Sequence, residues 1–243
     1  MLIEQAAYGN RWRRVSPAAK GAFALAGLLA AFAAPTPPAA ALVAALLAGI
    51  ACLGAGVAPG LYLRVAAPAA GFLALSALTL LVALDADLSW RWAPEAWPRV
   101  AALSARSLAA LAALLGLVLT TPLSDQLGLL RRLRCPDVLL DLMVLCYRML
   151  FVFSAALHDT ATAQRARLGY ASPRLTRRSL GLLAANLTLQ VWQRAHALHL
   201  AAQARNGDGA LRFLSPDFAH ARRDTVLAAA AGGLLIAAAR LAA

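Results

Sequence analysis

Between residues 18 and 121 the chain passes through four apolar segments, about 18–34, 39–58, 61–84 and 99–121, and the turns separating the first three hold no charged residue. A helix needs about 20 predominantly apolar residues to cross the hydrocarbon core of a bilayer. Every backbone amide inside that core must be hydrogen-bonded within its own segment. A fifth segment of the same kind lies at about 225–242. The pattern leaves one fold class, an all-α polytopic membrane protein with about five transmembrane helices. Only 14% of the residues are charged, against roughly 25% in soluble domains, which excludes an ordinary globular core. Alanine supplies much of the apolar content and favours close helix packing.

The boundaries have local causes. Pro35-Thr36-Pro37-Pro38 forces a tight, uncharged turn, because proline cannot continue helical hydrogen bonding. Pro59-Gly60 separates the second and third segments, and Arg64 can snorkel from the start of the third. Residues 85–99 form a Trp/Pro loop with Asp85, Asp87 and Glu95 against Arg91 and Arg99. The first apolar run follows Arg11, Arg13, Arg14 and Lys20, with no small-residue cleavage site leading into a soluble domain. It is expected to be the first span rather than a cleaved leader, with Trp12 at the membrane interface.

The net charge of +12 comes from 22 arginines and one lysine, Lys20. No basic run is interleaved with aromatic residues, so no nucleic-acid partner is expected; arginine fills cytoplasmic segments of membrane proteins. Residues 123–224 carry 14 arginines against seven aspartates. That block and the N-terminus are assigned to the cytoplasm, and the proline turn and acidic loop to the outside. The expected domains are residues 1–122 with four spans, a cytoplasmic helical region at 123–224, and a final transmembrane helix at 225–243. Cys52, Cys135 and Cys146 have no C-x-x-C spacing, which suggests neither a disulfide framework nor a zinc site.

The 123–224 region carries the functional signal. Thr121-Pro122 reads as a helix start, with threonine as cap and proline first in the helix. Leu123, Leu127, Leu130 and Leu133 then recur at helical spacing, which predicts a short amphipathic helix in the membrane surface. A long helix over about 137–168 follows Pro136. Its nearly apolar first part, 138–157, is broken by Asp141 and Arg148 on one face. Each costs about 3 kcal/mol at mid-bilayer, which favours a slanted, partly buried helix over a sixth span. Ser172-Pro173 starts a third helix, about 173–206, with Asn186, Gln190 and Gln193 as a polar stripe.

Both long helices close on the same pattern, Ala166-Arg167-Leu168-Gly169 and Ala204-Arg205-Asn206-Gly207. One copy is ordinary termination: arginine in the last turn favours the helix dipole by up to about 1 kcal/mol, and glycine takes the left-handed cap. Two copies in one net-positive region suggest more. Alanine keeps each helix end narrow, and arginine presents a permanent charge and a fork of donors to carboxylates or carbonyls of a partner.

With their surroundings, Gln164-Arg165-Ala166-Arg167-Leu168-Gly169-Tyr170 and Ala204-Arg205-Asn206-Gly207-Asp208-Gly209, these segments resemble the two Ala-Arg-Gly motifs of the transmembrane (T) components of energy-coupling factor (ECF) transporters, most nearly the cobalt type, CbiQ. The resemblance extends to Asn10-Arg11, to Val15-Ser16-Pro17-Ala18-Ala19-Lys20, to Leu119-Thr120-Thr121-Pro122 and to Tyr147-Arg148-Met149-Leu150-Phe151-Val152. It implies a non-catalytic subunit of an ATP-driven cobalt importer in the bacterial plasma (inner) membrane. Coupling helices would rest on two ABC ATPase subunits (CbiO-like), and another face would hold a membrane substrate-binding subunit (CbiM-like), with a small CbiN-like subunit. The ATPase-coupling residues would be Ala166, Arg167, Ala204 and Arg205. The third motif position, glycine in the family, is Leu168 and Asn206 here, with Gly169 and Gly207 one place later. This chain would bind no cofactor itself. ATP belongs to the ATPases, and Co2+ or Ni2+ to the substrate-binding subunit.

Other chemistry is thin. His196 and His199 share a helical face, but no third metal ligand is near in sequence, and an interfacial role suits them better. No Gly-rich phosphate loop or nucleophile elbow is present, and Gly54-Ala55-Gly56 lies in an apolar span where small residues mean packing. Arg106, two turns into the fourth span, either snorkels outward or meets a buried acceptor. The alternatives are a T component for nickel or another substrate, and a stand-alone channel or secondary transporter. The latter needs a polar pathway that the first three spans scarcely offer.

Overall fold

The computed structural model describes residues 2–84, 90–92, 96–204, 218 and 220–241. The chain divides into two compact units, Met1–Leu129 with Ser215–Ala243, and Leu130–Leu214. The all-α membrane architecture holds, with one two-stranded sheet in addition among the described residues.

In the first unit, helix α1 (Leu2–Gly9) and a 3-10 turn (Arg11–Arg14) lead into α2 (Pro17–Ala33). Ser16 sets the start of α2: its Oγ accepts the Ala19 N–H at 3.3 Å, and Pro17 follows in the first turn. Helix α3 (Pro37–Gly49) continues through a π turn (Ile50–Gly54) and stops at Gly56, whose φ of +75° suits glycine. Helix α4 (Pro59–Leu81) runs into strand β1 (Val82–Leu84), paired antiparallel with β2 (Trp90–Trp92). Asp85, Asp87 and Glu95 lie outside the described residues. Helices α5 (Trp97–Thr120), α6 (Leu123–Arg132) and α9 (Ala221–Leu241) follow.

Contacts fix how these helices run. Ser16 N–H meets the Asp224 carboxylate at 3.4 Å, and further along a methyl added at Gly232 would collide with Ala26, so α2 and α9 lie parallel. The ends of α3 and α5 meet the start of α2. Arg11 N–H donates to the Ala55 carbonyl at 3.0 Å, and Asn10 Nδ2 to the Thr120 carbonyl at 3.0 Å. At the opposite end Arg106 Nη2 donates to the Ala34 carbonyl at 3.3 Å, which settles Arg106 as a tie between α5 and the proline turn. The helices therefore alternate in direction. The core between them is mostly alanine (Ala30, Ala31, Ala40, Ala109, Ala113, Ala239), with Val43 and Leu47 filling the gaps. Small side chains let backbones approach closely where dispersion, not the hydrophobic effect, drives association.

Among the described residues, five helices are long and apolar enough to cross a membrane: Pro37–Gly54, α4, α5, α9 and Asp137–Ala166. Their number matches the expectation, but their membership does not. The first expected span, Pro17–Ala33, is a shorter apolar helix of 17 residues, about 25 Å and at the lower end of spanning length, while the 30-residue Asp137–Ala166 is long and apolar enough as well. The capping expectation at Thr121 also fails. Its Oγ1 is buried with no hydrogen-bond partner among the described residues, and the Pro122 carbonyl accepts the first amides of α6 from Asp125 and Gln126.

Residue 125, at the start of α6, is held to Arg13 by an ion pair. Asp224, at the start of α9, is held to Ser16. The chain thus leaves this unit and rejoins it at one and the same end.

The second unit is a helical hairpin of α7 (Asp137–Ala166) and α8 (Pro173–Ala204). As expected, Ser172 starts α8, its Oγ accepting the Leu175 N–H at 3.3 Å. Gln164 meets Ser179 at the turn, and Thr160 meets Asn186 at 3.5 Å farther along, which makes the two helices antiparallel.

Candidate functional site

The first Ala-Arg pattern forms the turn of this hairpin. Helix α7 ends at Ala166, with Arg167 as its C-cap. Leu168 N–H donates to the Arg165 carbonyl at 3.0 Å, and Gly169 N–H reaches back to the Gln164 carbonyl at 2.8 Å. These two bonds close a Schellman motif, which satisfies carbonyls that a helix end leaves open. Its left-handed position is filled by Leu168, at φ +56°, and not by glycine. The expectation that Gly169 takes the left-handed cap is corrected. The residue in the conformation that glycine prefers is Leu168, the third position of the pattern.

Gly169 is required for a different reason. A methyl there would lie 2.6 Å from Ser179 Oγ and 2.9 Å from the Gln164 carbonyl. The space is taken up by a braced junction. Ser179, 7% exposed, donates from Oγ to the Gly169 carbonyl at 2.9 Å. Gln164 Nε2 donates to the Ser179 carbonyl at 3.0 Å, and Tyr170 Oη donates to Gln164 Oε1 at 2.6 Å. Ala166, Arg167 and Leu168 are exposed outside this knot. A rigid base thus carries a narrow tip with one fixed charge and one apolar side chain. Ser179 escaped the sequence reading because it lies ten residues past Gly169 and belongs to the next helix.

The second pattern begins at Ala204, the exposed last residue of α8; Arg205, Asn206 and Gly207 lie outside the described residues. From Ser179 to Ala204 are 25 residues of continuous helix, or about 38 Å. Ala204 and the first pattern therefore stand at opposite ends of α8.

Two other segments singled out in the sequence do converge, in the first unit. Asn10 and Lys20 both donate to the Thr120 carbonyl, Lys20 Nζ at 2.9 Å. Arg13 pairs with Asp125 and lies 5.1 Å above the Tyr8 ring. The N-terminal lead and the Thr120-Thr121-Pro122 turn thus form one buried polar joint where α2 starts and α5 ends. His196 and His199 are exposed, and among the described residues no group of three or more His, Cys, Asp or Glu could hold a metal.

Residues 9–213 match the profile of the cobalt transport protein family CbiQ. The chain belongs to that family. A cobalt transport protein CbiQ of Rhodobacter capsulatus is 37% identical over 213 residues, covering 88% of this chain and 87% of that protein. A cobalt transport protein CbiQ of Salmonella typhimurium is 28% identical over 204 residues, covering 79% of this chain and 90% of that one. A putative fused cobalt transport protein CbiMQ of Methanocorpusculum labreanum matches at 32% over 106 residues, 44% of this chain and 18% of the fusion. The CbiQ match spans both patterns as far as residue 213, and the polar joint at Asn10 and Thr120. It is a family of transport proteins, and the apolar helices make this member a multi-pass membrane protein.

Proposed function

We propose that this chain is the transmembrane coupling subunit of an ATP-driven cobalt importer. It would join two CbiO-like ABC ATPases to a CbiM-like membrane subunit that holds the ion, with a small CbiN-like subunit alongside. Cobalt and ATP would be bound by those partners. The observation that carries the reading is the braced tip at Arg167, with a second helix end about 38 Å along the same α8. Two separated knobs suit two ATPase subunits better than one small-molecule site. When ATP draws the ATPases together, the tips would move with them, and the stiff hairpin would pass the displacement to the membrane unit.

Topology supports this. The chain leaves and rejoins the first unit at one end. A lone crossing by α7 would bring it back on the wrong side, and α8, with Arg174, Arg177, Arg178 and Arg194, is not apolar enough to cross back. This favours reading α7 and α8 as coupling helices rather than α7 as a sixth span. Arginine-rich segments favour the cytoplasmic side, which supports a cytoplasmic N-terminus in a bacterial plasma membrane. Cobalt is preferred to nickel because the matching relatives carry that name.

The test is reconstitution with the neighbouring ATPases and membrane subunit. Arg167→Ala and Arg205→Ala should fold normally, since Arg167 is exposed, while the double variant loses ATPase co-purification and ATP-dependent Co2+ uptake. Wild-type assembly and uptake would remove the docking role. Uptake by the purified chain without ATPases would favour a stand-alone transporter, and Co2+/Ni2+ competition assigns the ion.

A further inference from the structure

We propose that the cleft at the Asn10 end of the first unit binds one aminophospholipid, with Lys20 on its phosphate and Asp224 on its ammonium. The cleft holds about 390 Å3 between α2, α3, α5 and α9, within the range of about 300–1,000 Å3 typical of ligand pockets. Its polarity is graded. Trp12, Lys20, Thr120 and Asp224 line it where α2 and α9 begin and α5 ends, and Phe23, Leu47, Ala113 and Ala231 form the deeper wall. A headgroup fits the first region and an acyl chain the second. Trp12 belongs to the residue type that favours such a boundary in membranes.

The charges select the headgroup. Lys20 is 6% exposed, yet only one of its three donors has a described acceptor, the Thr120 carbonyl. The Asp224 carboxylate accepts one long bond, 3.4 Å, from Ser16 N–H. Both line the cleft, and among the described residues they are not ion-paired with each other. A cation and a carboxylate that share a cavity without meeting are complementary to a zwitterion. In a phosphoethanolamine head the phosphate oxygens accept from Lys20 and the primary ammonium donates to Asp224. Phosphatidylcholine has no N–H to donate, and phosphatidylglycerol has no cation. This proposal stands independently of the transport function.

The test uses the full-length chain in detergent, titrated with phosphatidylethanolamine, phosphatidylcholine or phosphatidylglycerol and read by native mass spectrometry. One phosphatidylethanolamine should be retained about tenfold more tightly than either other lipid, the scale of one charge-assisted hydrogen bond. Asp224→Asn should erase the preference over phosphatidylglycerol. Ala228→Leu fills the cleft without touching either charge, and should lower retention while the thermal transition persists. Equal retention of the three lipids, or unchanged retention in Ala228→Leu, overturns the site. So does loss of a protein partner by Ala228→Leu at unchanged lipid content, since that identifies a protein occupant.

Discussion

Ser179 Oγ donates to the carbonyl of Gly169 at 2.9 Å, and a methyl on Gly169 would lie 2.6 Å from that same oxygen. The hydroxyl can rotate away, but the Gln164 carbonyl, 2.9 Å from the methyl, is backbone and cannot. Gly169→Ala should therefore destabilise the hairpin turn by about 1–3 kcal/mol, the usual cost of overpacking. Ser179→Ala should cost about 1 kcal/mol, one hydrogen bond. Thermal unfolding in detergent measures both, and the order Gly169→Ala above Ser179→Ala is the diagnostic outcome.

Leu168 holds a left-handed conformation while 72% exposed, so its side chain offsets little of the backbone cost. Leu168→Gly should raise stability by about 1 kcal/mol, the penalty an L-residue pays there. Leu168→Val should lower it, because a β-branched residue tolerates positive φ least. Melting temperatures of the two variants should move in opposite directions.

At the polar joint Asp125 is 4% exposed and paired with Arg13. Arg13→Ala leaves a buried carboxylate with Ser124 Oγ as its described side-chain hydrogen-bond partner, at 3.4 Å, and Lys20 as the charge nearby. The expected cost is about 1–3 kcal/mol. Arg13→Ala combined with Asp125→Asn should recover part of it, because the stranded charge is gone. A double-mutant cycle on thermal or denaturant unfolding measures the coupling.

Where α2 meets α9, Gly232 has no room for a methyl because Ala26 Cβ fills the space. Gly232→Ala should cost about 1–3 kcal/mol. The exchange Ala26→Gly with Gly232→Ala moves the methyl across the contact and should restore stability to near wild type. Yield of monodisperse protein, with its melting temperature, checks the rescue.

Much of this molecule was legible before folding. Prolines at 17, 37, 59 and 173 stand at the first residue of their helices, because a missing N–H costs nothing there. The apolar segments announced membrane helices, and both Ala-Arg pairs were placed at the ends of long helices, where Ala166 and Ala204 stand. Other assignments exceeded what local pattern can carry. Glycine preference pointed to Gly169 as the left-handed cap, but cap position depends on where the last helical hydrogen bonds close, and they close one residue earlier. Thr121 looked like a helix cap, yet α6 begins at Leu123 and its first amides go to the Pro122 carbonyl, so Thr121 stands one residue too early to cap it.

The sequence by itself determined the class of molecule, since twenty-odd apolar residues in a row have one stable solution in a bilayer, and backbone hydrogen bonding enforces it. Tertiary structure alone decided which distant residues share a site. Asn10 and Lys20 meet Thr120 across 110 and 100 residues, Ser16 meets Asp224 across 208, and Ser179 locks Gly169 from the following helix. Those pairings come from helix direction and close alanine packing, which depend on all the segments together, and no periodicity within one segment encodes them.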